Sequence, residues 1–194
     1  RADHPMLLDA EALLLSSETG NACALVDDSL PPRSVLLEAV YVLECVAAQG
    51  LHIERFLPPL PLSSVVDTRL SLRNDFLPSA RAVRSAGDRT LDLSKHRKIL
   101  AALLPPMLDK TQADAENQSR ERIELALGQA EALLDGEIDR LQRLAKVNPA
   151  VREEEISGLQ DERAALLAAL PLARPRLDAL RLIVSPDFMA LRSQ

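Results

Sequence analysis

The chain has no Trp, one Tyr and three Phe, so it offers few aromatic faces on which bases or sugars could stack. Two Cys in 194 residues exclude a disulfide scaffold. Both, Cys23 and Cys45, sit among apolar neighbours (Ala22, Ala24; Leu43, Val46), as expected of small core residues in a reducing compartment. The six Gly are isolated and none precedes Lys-Ser or Lys-Thr, which leaves no phosphate-cradling loop of the P-loop kind. His4, His52 and His96 fall in three different local elements with no second ligand at metal spacing, so each reads as a structural or surface residue. No apolar run approaches the roughly 20 residues of a membrane span, and no charged-then-apolar signal opens the chain, so a cytoplasmic protein is expected. Positive charge is short as well. Lys and Arg number 23 against 29 Asp and Glu, a net −6, which opposes a dedicated binder of phosphate backbones.

What remains is aliphatic: 38 Leu and 27 Ala favour helices and supply a core without staples or metal. Met6, Leu7, Leu8, Ala10, Leu13 and Leu14, preceded by Asp3 and Pro5, predict a short amphipathic helix over residues 5–16. A short strand follows between Asn21 and Asp27, then a break at Asp27-Asp28 and Pro31-Pro32. From Ser34 to Val46 the odd positions Val35, Leu37, Ala39, Tyr41, Leu43 and Cys45 are all apolar, which predicts a long strand with one core face. Leu62, Val66, Leu70 and Leu72 alternate with Ser63, Asp67, Arg69 and Ser71, a second strand expected to pair antiparallel with the first. Leu177 to Val184, between Pro175 and Pro186, reads as a last strand returning to the same sheet.

Between these strands, Lys95 to Val147 is helix-forming, with an expected interruption at Pro105-Pro106. Asn148-Pro149 joins a capping residue to a first-turn proline before helical periodicity resumes from Arg152 to Leu170. Ile123, Ala126, Leu127, Ala130, Leu134, Ile138, Leu141 and Leu144 form one stripe, and Ile156, Leu159, Leu166, Leu167 and Leu170 another, so the two helices are expected to pack as an antiparallel hairpin. Thr111 to Glu121 lacks such a stripe beyond Ala113 and Ala115, and is expected to be solvated or to lean on something outside the chain. The fold class is therefore α+β, a small antiparallel sheet of about four strands with a long helical hairpin. Residues 1–93 with 173–186 make the sheet core, and residues 94–172 make the long helix and hairpin inserted before the last strand.

Reactive constellations are missing. Asp161-Glu162-Arg163 lies mid-helix, not at a strand end where an acidic box would hold Mg²⁺. The serines lack a Gly-x-Ser-x-Gly elbow or a partnered base. Charge is the one unevenly distributed resource. From Arg69 to Lys98 eight Lys or Arg face three Asp, and from Gln112 to Asp139 two face eight acids. Arg81, Arg84, Arg89, Lys95, Arg97 and Lys98 are thus a candidate interaction patch, against the plainer reading of a solvated surface or of pairing with the acidic helix of the same domain. Glu153-Glu154-Glu155 complements a helix amino-terminal dipole.

Four local patterns stand in a fixed order along the chain. They are His4-Pro5-Met6; Arg55-Phe56-Leu57-Pro58-Pro59 with Pro61; Val147-Asn148-Pro149 followed by Arg152 and Glu154; and Arg176-Leu177-Asp178-Ala179-Leu180-Arg181-Leu182-Ile183-Val184. Together, from His4 to Val184, they resemble the carboxy-terminal region of the RapA family, bacterial RNA polymerase-associated ATPases of the helicase-like Swi/Snf class. The likeness fades around Asp75 to Asp92 and Thr111 to Arg120. The resemblance implies a piece of an ATP-dependent translocase that binds core RNA polymerase and promotes its recycling in transcription, with the ATPase lobes, ATP and Mg²⁺ ahead of this piece. The start at Arg1 agrees with such an excised piece. No ATP-binding or DNA-contacting motif of the family falls within these residues, so no catalytic, cofactor or metal role is carried over to any position. The expected partners are core RNA polymerase, the ATPase lobes of the parent chain, or both, with nucleic acid reached through the parent. A monomeric, non-catalytic accessory domain in the cytoplasm, near the nucleoid through polymerase, is the first reading. Self-association through the coiled coil is the second, and a nucleic-acid module using the Arg81–Lys98 patch the third.

Overall fold

A computed structural model describes residues 21–48, 50–86 and 93–190 of the protein; the helix expected over residues 5–16 and the candidate residue Arg89 lie outside them. Four strands form one sheet: β1 (Ala22–Val26), β2 (Val35–Glu44), β3 (Pro61–Asp67) and β4 (Arg174–Val184), in the order β1-β4-β2-β3. The helices are α1 (Ala80–Ala86), α2 (Arg97–Ala145), α3 (Glu153–Ala169) and α4 (Pro186–Ala190). The α+β class, the strand count and the helical hairpin agree with the sequence reading. One pairing differs: β1 runs parallel to β4, while β2 pairs antiparallel with both β3 and β4, so the sheet is mixed.

The alternation in β2 sends Leu37, Ala39, Tyr41 and Leu43 toward the long helix and Leu36 to the other face, where Leu25, Val65 and Ile183 meet Ala82 of α1. Strand β4 keeps pace through a bulge. Ala179 pairs with Val40 but Leu177 pairs with Tyr41, so Asp178 is the extra residue. Strand β3 ends at Asp67, short of the expected Leu72. The Asp67 carboxylate accepts the amides of Arg69 (2.9 Å) and Ser71 (3.0 Å), and Leu70 adopts φ 62°, which turns the chain back on itself. Leu70 and Leu72, counted toward the core by alternation, are exposed. Cys45 donates its thiol to the Ala169 carbonyl (3.2 Å), whereas Cys23 is exposed, so only one of the two thiols sits against the core; both are free.

Helix α2 runs unbroken for 49 residues, through Pro105 and Pro106. Proline inside a helix costs about 3 kcal/mol or more, because it removes an amide donor and crowds the preceding turn. Here Ala101, Ala102, Pro105 and Pro106 all face solvent, so water reaches the carbonyls left without a donor. On the opposite side Leu100 joins Val35, Leu182 and Val184, and Met107 packs on Leu37 and Val66. Burying each such side chain is worth about 1.5–3 kcal/mol, enough together to hold the helix through the prolines.

One face of the stretch Thr111 to Glu121 is buried inside the chain and the other is exposed. Thr111, Ala115 and Ser119 are buried, one helical turn apart, and lie on the sheet. Small and hydroxylated side chains permit a close approach of helix to strand, and the hydroxyl-bearing Thr111 and Ser119 do not register in a hydrophobic pattern. Beyond them Ala126, Ala130, Leu134 and Ile138 continue the buried line, and Ala126, Ala130 and Leu134 share one core with Leu166, Ala169 and Leu170. At the hairpin tip Asn148 Oδ1 accepts the amide of Ala150 (3.0 Å), so this residue closes the turn, and α3 starts later with Arg152 as its flanking residue and three Glu in its first turn.

Leu134 is 1% exposed and Leu125, on the same helix, 64%. Leu134→Ala is expected to lower unfolding stability by about 2–5 kcal/mol through the cavity it leaves, whereas Leu125→Ala stays near zero; equilibrium denaturation in urea, followed by circular dichroism, measures both.

Candidate interaction surface

Two carboxylates fix the elements that carry the charged surface. Asp27, at the end of β1, is fully buried, and its Oδ2 accepts the amide of Ser79 (2.7 Å) while Oδ1 accepts the amide (2.9 Å) and hydroxyl (2.7 Å) of Ser29. Ser79 in turn caps α1, its hydroxyl accepting the amide of Ala82 (3.2 Å). Burial pushes the Asp27 carboxyl up, but the Ser79 and Ser29 donors outweigh it and hold it below the ordinary aspartate range. Asp114, on α2, accepts three hydrogen bonds at Oδ2: from Ser64 Oγ of β3 (2.7 Å), Asn74 Nδ2 (3.0 Å) and Gln118 Nε2 (2.8 Å). It too is lowered, burial again opposing the donors and the nearby Lys110 adding to them. One turn away, the Thr111 hydroxyl donates to the Leu108 carbonyl (2.9 Å), so the Tyr41 hydroxyl donates to Thr111 Oγ1 (2.9 Å). Burial pushes the Tyr41 phenol up.

The candidate patch is distributed over this frame. Arg81 lies on α1, exposed, with its guanidinium 3.4 Å from Asp28 Oδ2. Arg84 falls on the same short helix. Lys95, in the 3-10 turn Ser94–His96, and Arg97 and Lys98, in the first turn of α2, form one exposed cluster with no carboxylate partner among the described residues. The sheet stands between the two groups: α1 packs on the Leu36 and Ile183 face, and the start of α2 on the Val35 and Leu182 face. Next to the cluster, His96 is buried with its ring against Phe188 (centroids 5.1 Å apart), while His52 is exposed beside Glu54 (3.2 Å).

Acidic residues of α2 are engaged within the hairpin and not by the basic segment. Arg163 of α3 reaches across to Asp135 (2.6 Å) and Glu131 (2.8 Å), which accounts for the Arg of Asp161-Glu162-Arg163 as a cross-helix clamp. On the face of the sheet that α1 only partly covers, Arg181 pairs with Glu38 (2.9 Å), Ser63 donates to the same carboxylate (3.2 Å), and Arg176 pairs with Glu44. Reading by sequence missed both hubs, Asp27 and Asp114. The signals available were an Asp directly after an apolar strand run and an Asp one turn from a Thr in an otherwise featureless helix.

Among the described residues, no group of three His, Cys, Asp or Glu is placed to hold a metal ion, and no helix is long and apolar enough to cross a membrane. The described residues thus make a mixed sheet braced by a long helical hairpin, with charged exposed faces. The chain belongs to the RNA polymerase recycling family: the model for the C-terminal part of that family matches residues 1–185. It is 35% identical over 187 residues to the RNA polymerase-associated protein RapA of Pectobacterium carotovorum, a match that covers 94% of this chain and 19% of the relative. The proteins of the same name from Actinobacillus succinogenes, 33% identical over 199 residues, and Yersinia pestis, 34% over 187, match the same shares. The chain thus spans about a fifth of the length of the curated relatives it matches, and corresponds to their C-terminal region.

The two lowered carboxyls set a pH dependence. A group whose folded pKa is depressed adds stability that is fully present above its unfolded value of about 3.9 and is lost as pH falls through the folded value. Stability is therefore expected to decline below about pH 4, and Asp27→Asn is expected both to lower the melting temperature at neutral pH and to flatten that acid decline, as thermal melts between pH 2 and 7 would register.

Proposed function

We propose that this chain is a non-catalytic accessory domain of an RNA polymerase-associated, ATP-dependent translocase of the Swi/Snf type, whose ATPase lobes, with ATP and Mg²⁺, lie in other parts of the parent protein. On this reading the domain contacts core RNA polymerase, packs against the motor, or both, and so couples ATP turnover to polymerase recycling. The observation that carries it is the match of nearly the whole chain to the C-terminal part of the RNA polymerase recycling family. The physical arrangement supports it: the hairpin is rigidly braced on the sheet, and Lys95, Arg97 and Lys98 are exposed cations left without a carboxylate partner among the described residues.

The hairpin's apolar line is used inside the chain, with Ala126, Ala130 and Leu134 sharing a core with Leu166 and Leu170, which favours a monomer over a self-associating coiled coil. A nucleic-acid role for Arg81, Arg84, Arg89, Lys95, Arg97 and Lys98 has the net charge of −6 against it.

A binding titration of the chain against core RNA polymerase, repeated against the separately expressed remainder of a full-length relative, tests the reading. Saturable binding to one or both is expected, with Lys95→Glu, Arg97→Glu and Lys98→Glu combined weakening it by at least tenfold. Binding to neither would overturn the accessory role, and binding to duplex DNA that weakens steeply with salt would favour the nucleic-acid module instead.

A further inference from the structure

The Arg55-Phe56-Leu57-Pro58-Pro59 motif with Pro61 has so far been given no task. In the structure its Arg55 and Phe56 form one wall of a groove, with the prolines following them in the chain. Two depressions, of about 520 and 470 Å³, adjoin at Arg55 and Leu133: the first also includes Phe56, Gln129 and Ala132, and the second Leu134, Leu159, Glu137 and Glu162. The floor is apolar. Phe56 and Leu134 are buried beneath it, and Leu133 is a 44% exposed apolar side chain on the helix surface.

The wall is built to keep its shape. Pro58 and Pro59 fix their own backbone angles and have no amide to donate, so neither joins the sheet or a helix, and Pro61 opens β3 opposite Val42. Arg122 of α2 pins this stretch, donating to the carbonyls of Leu60 (3.2 Å) and Pro61 (3.3 Å). The Arg55 guanidinium lies 5.4 Å from the centre of the Phe56 ring, covering one edge. A groove held open in this way costs a ligand little reorganisation.

Charge selects what it takes. The hairpin from Gln112 to Leu170 carries thirteen Asp and Glu against seven Lys and Arg. Most acids near the groove are already matched, Glu131 and Asp135 by Arg163 and Glu137 by Arg140, but Glu162 on the rim forms no ion pair among the described residues, although Arg55 lines the same depression. We infer that this groove docks a short protein segment that seats an apolar side chain on Phe56 and Leu133 and sets a Lys or Arg against Glu162. The inference rests on the accessory-domain reading for its source: the segment belongs to core RNA polymerase.

The test has two arms. In the first, the chain is titrated with a fluorescein-labelled peptide of alternating Leu and Lys, and with a control in which Glu replaces each Lys. Saturable binding of the Leu-Lys peptide is expected, at least tenfold tighter than the control, and reduced at least tenfold by Leu133→Lys and by Glu162→Lys. Both changes are at accessible positions, and unaltered thermal melts establish that the variants fold. No binding, or binding indifferent to both variants, overturns the groove as a docking site. In the second arm the same variants are titrated against core polymerase. A tenfold loss assigns the segment to polymerase, whereas wild-type affinity in both variants overturns that source and leaves the accessory reading standing. Failure of the wild-type chain to bind polymerase defeats that reading, and the peptide arm still decides the groove. Peptide displacement by the remainder of a full-length relative, or a sedimentation mass that doubles with concentration, would replace polymerase by that occupant or by a second copy.

Discussion

Of three hydrogen bonds to one oxygen of Asp114, two tie the long helix to β3 and the loop beyond it, and the seating of that helix depends on the attachment. Ser64 reaches it from β3, Asn74 from the loop beyond β3 and Gln118 from the next turn of α2, so strand, loop and helix meet at a single acceptor. A carboxylate that receives donors from every side keeps its charge even when partly buried, and the donors are satisfied by the same contact. The Tyr41 to Thr111 bond, one turn earlier, closes the same seam from β2. Because both bonds are directional, they fix the rotation of the helix about its own axis, which apolar packing alone would leave loosely specified.

Rotation matters because α2 has two jobs along its length. Its first half faces the sheet through Leu100, Met107, Thr111 and Ala115, and its second half faces α3 through Ala126, Ala130 and Leu134. A buried line spaced every four residues drifts around a helix of 3.6 residues per turn by about 40° per step, so the face presented to the sheet and the face presented to the hairpin differ. The hairpin then returns the chain to β4, which lies between β1 and β2 and pairs with both. The sheet cannot close until the hairpin has brought back its last strand, so the inserted helices and the sheet form one cooperative unit.

Much of this was legible in the sequence. The alternation of Val35 to Leu43, the Leu- and Val-rich run before Val184 and the two hairpin stripes all stand out, because burial on one face imposes a period that hydrophobicity exposes. The parts that were not legible share a cause: they depend on partners distant in the chain. The parallel pairing of β1 with β4 joins residues some 158 positions apart, Ala22 with Leu180. Pro105-Pro106 reads as a break until Leu100 and Met107 are seen to be packed on either side of it. Thr111, Ala115 and Ser119 make a stripe of which a hydrophobic template counts only Ala115, and Asp27 looked like a turn residue although it is a buried acceptor. For the candidate patch, sequence named the cations but not the sheet that stands between Arg81 and the Lys95 cluster.

Polar groups inside the fold and charges on its surface are used differently. Two carboxylates drawn into the fold are matched, Asp27 by Ser29 and Ser79 and Asp114 by three donors, whereas the buried His96 Nδ1 has no hydrogen-bond partner among the described residues. Among the described residues, Lys95, Arg97 and Lys98 cluster at the start of α2 without a carboxylate partner, and Glu162, at the groove beside Arg55 and Phe56, forms no ion pair. Charges that stay hydrated and unpaired add little to stability, but they steer encounters and reject wrong partners at low cost. Opposite signs on separate faces of one rigid body let two partners bind at once, because neither surface need deform to admit the other. The proposed coupling of a motor to the machine it acts on would use that property.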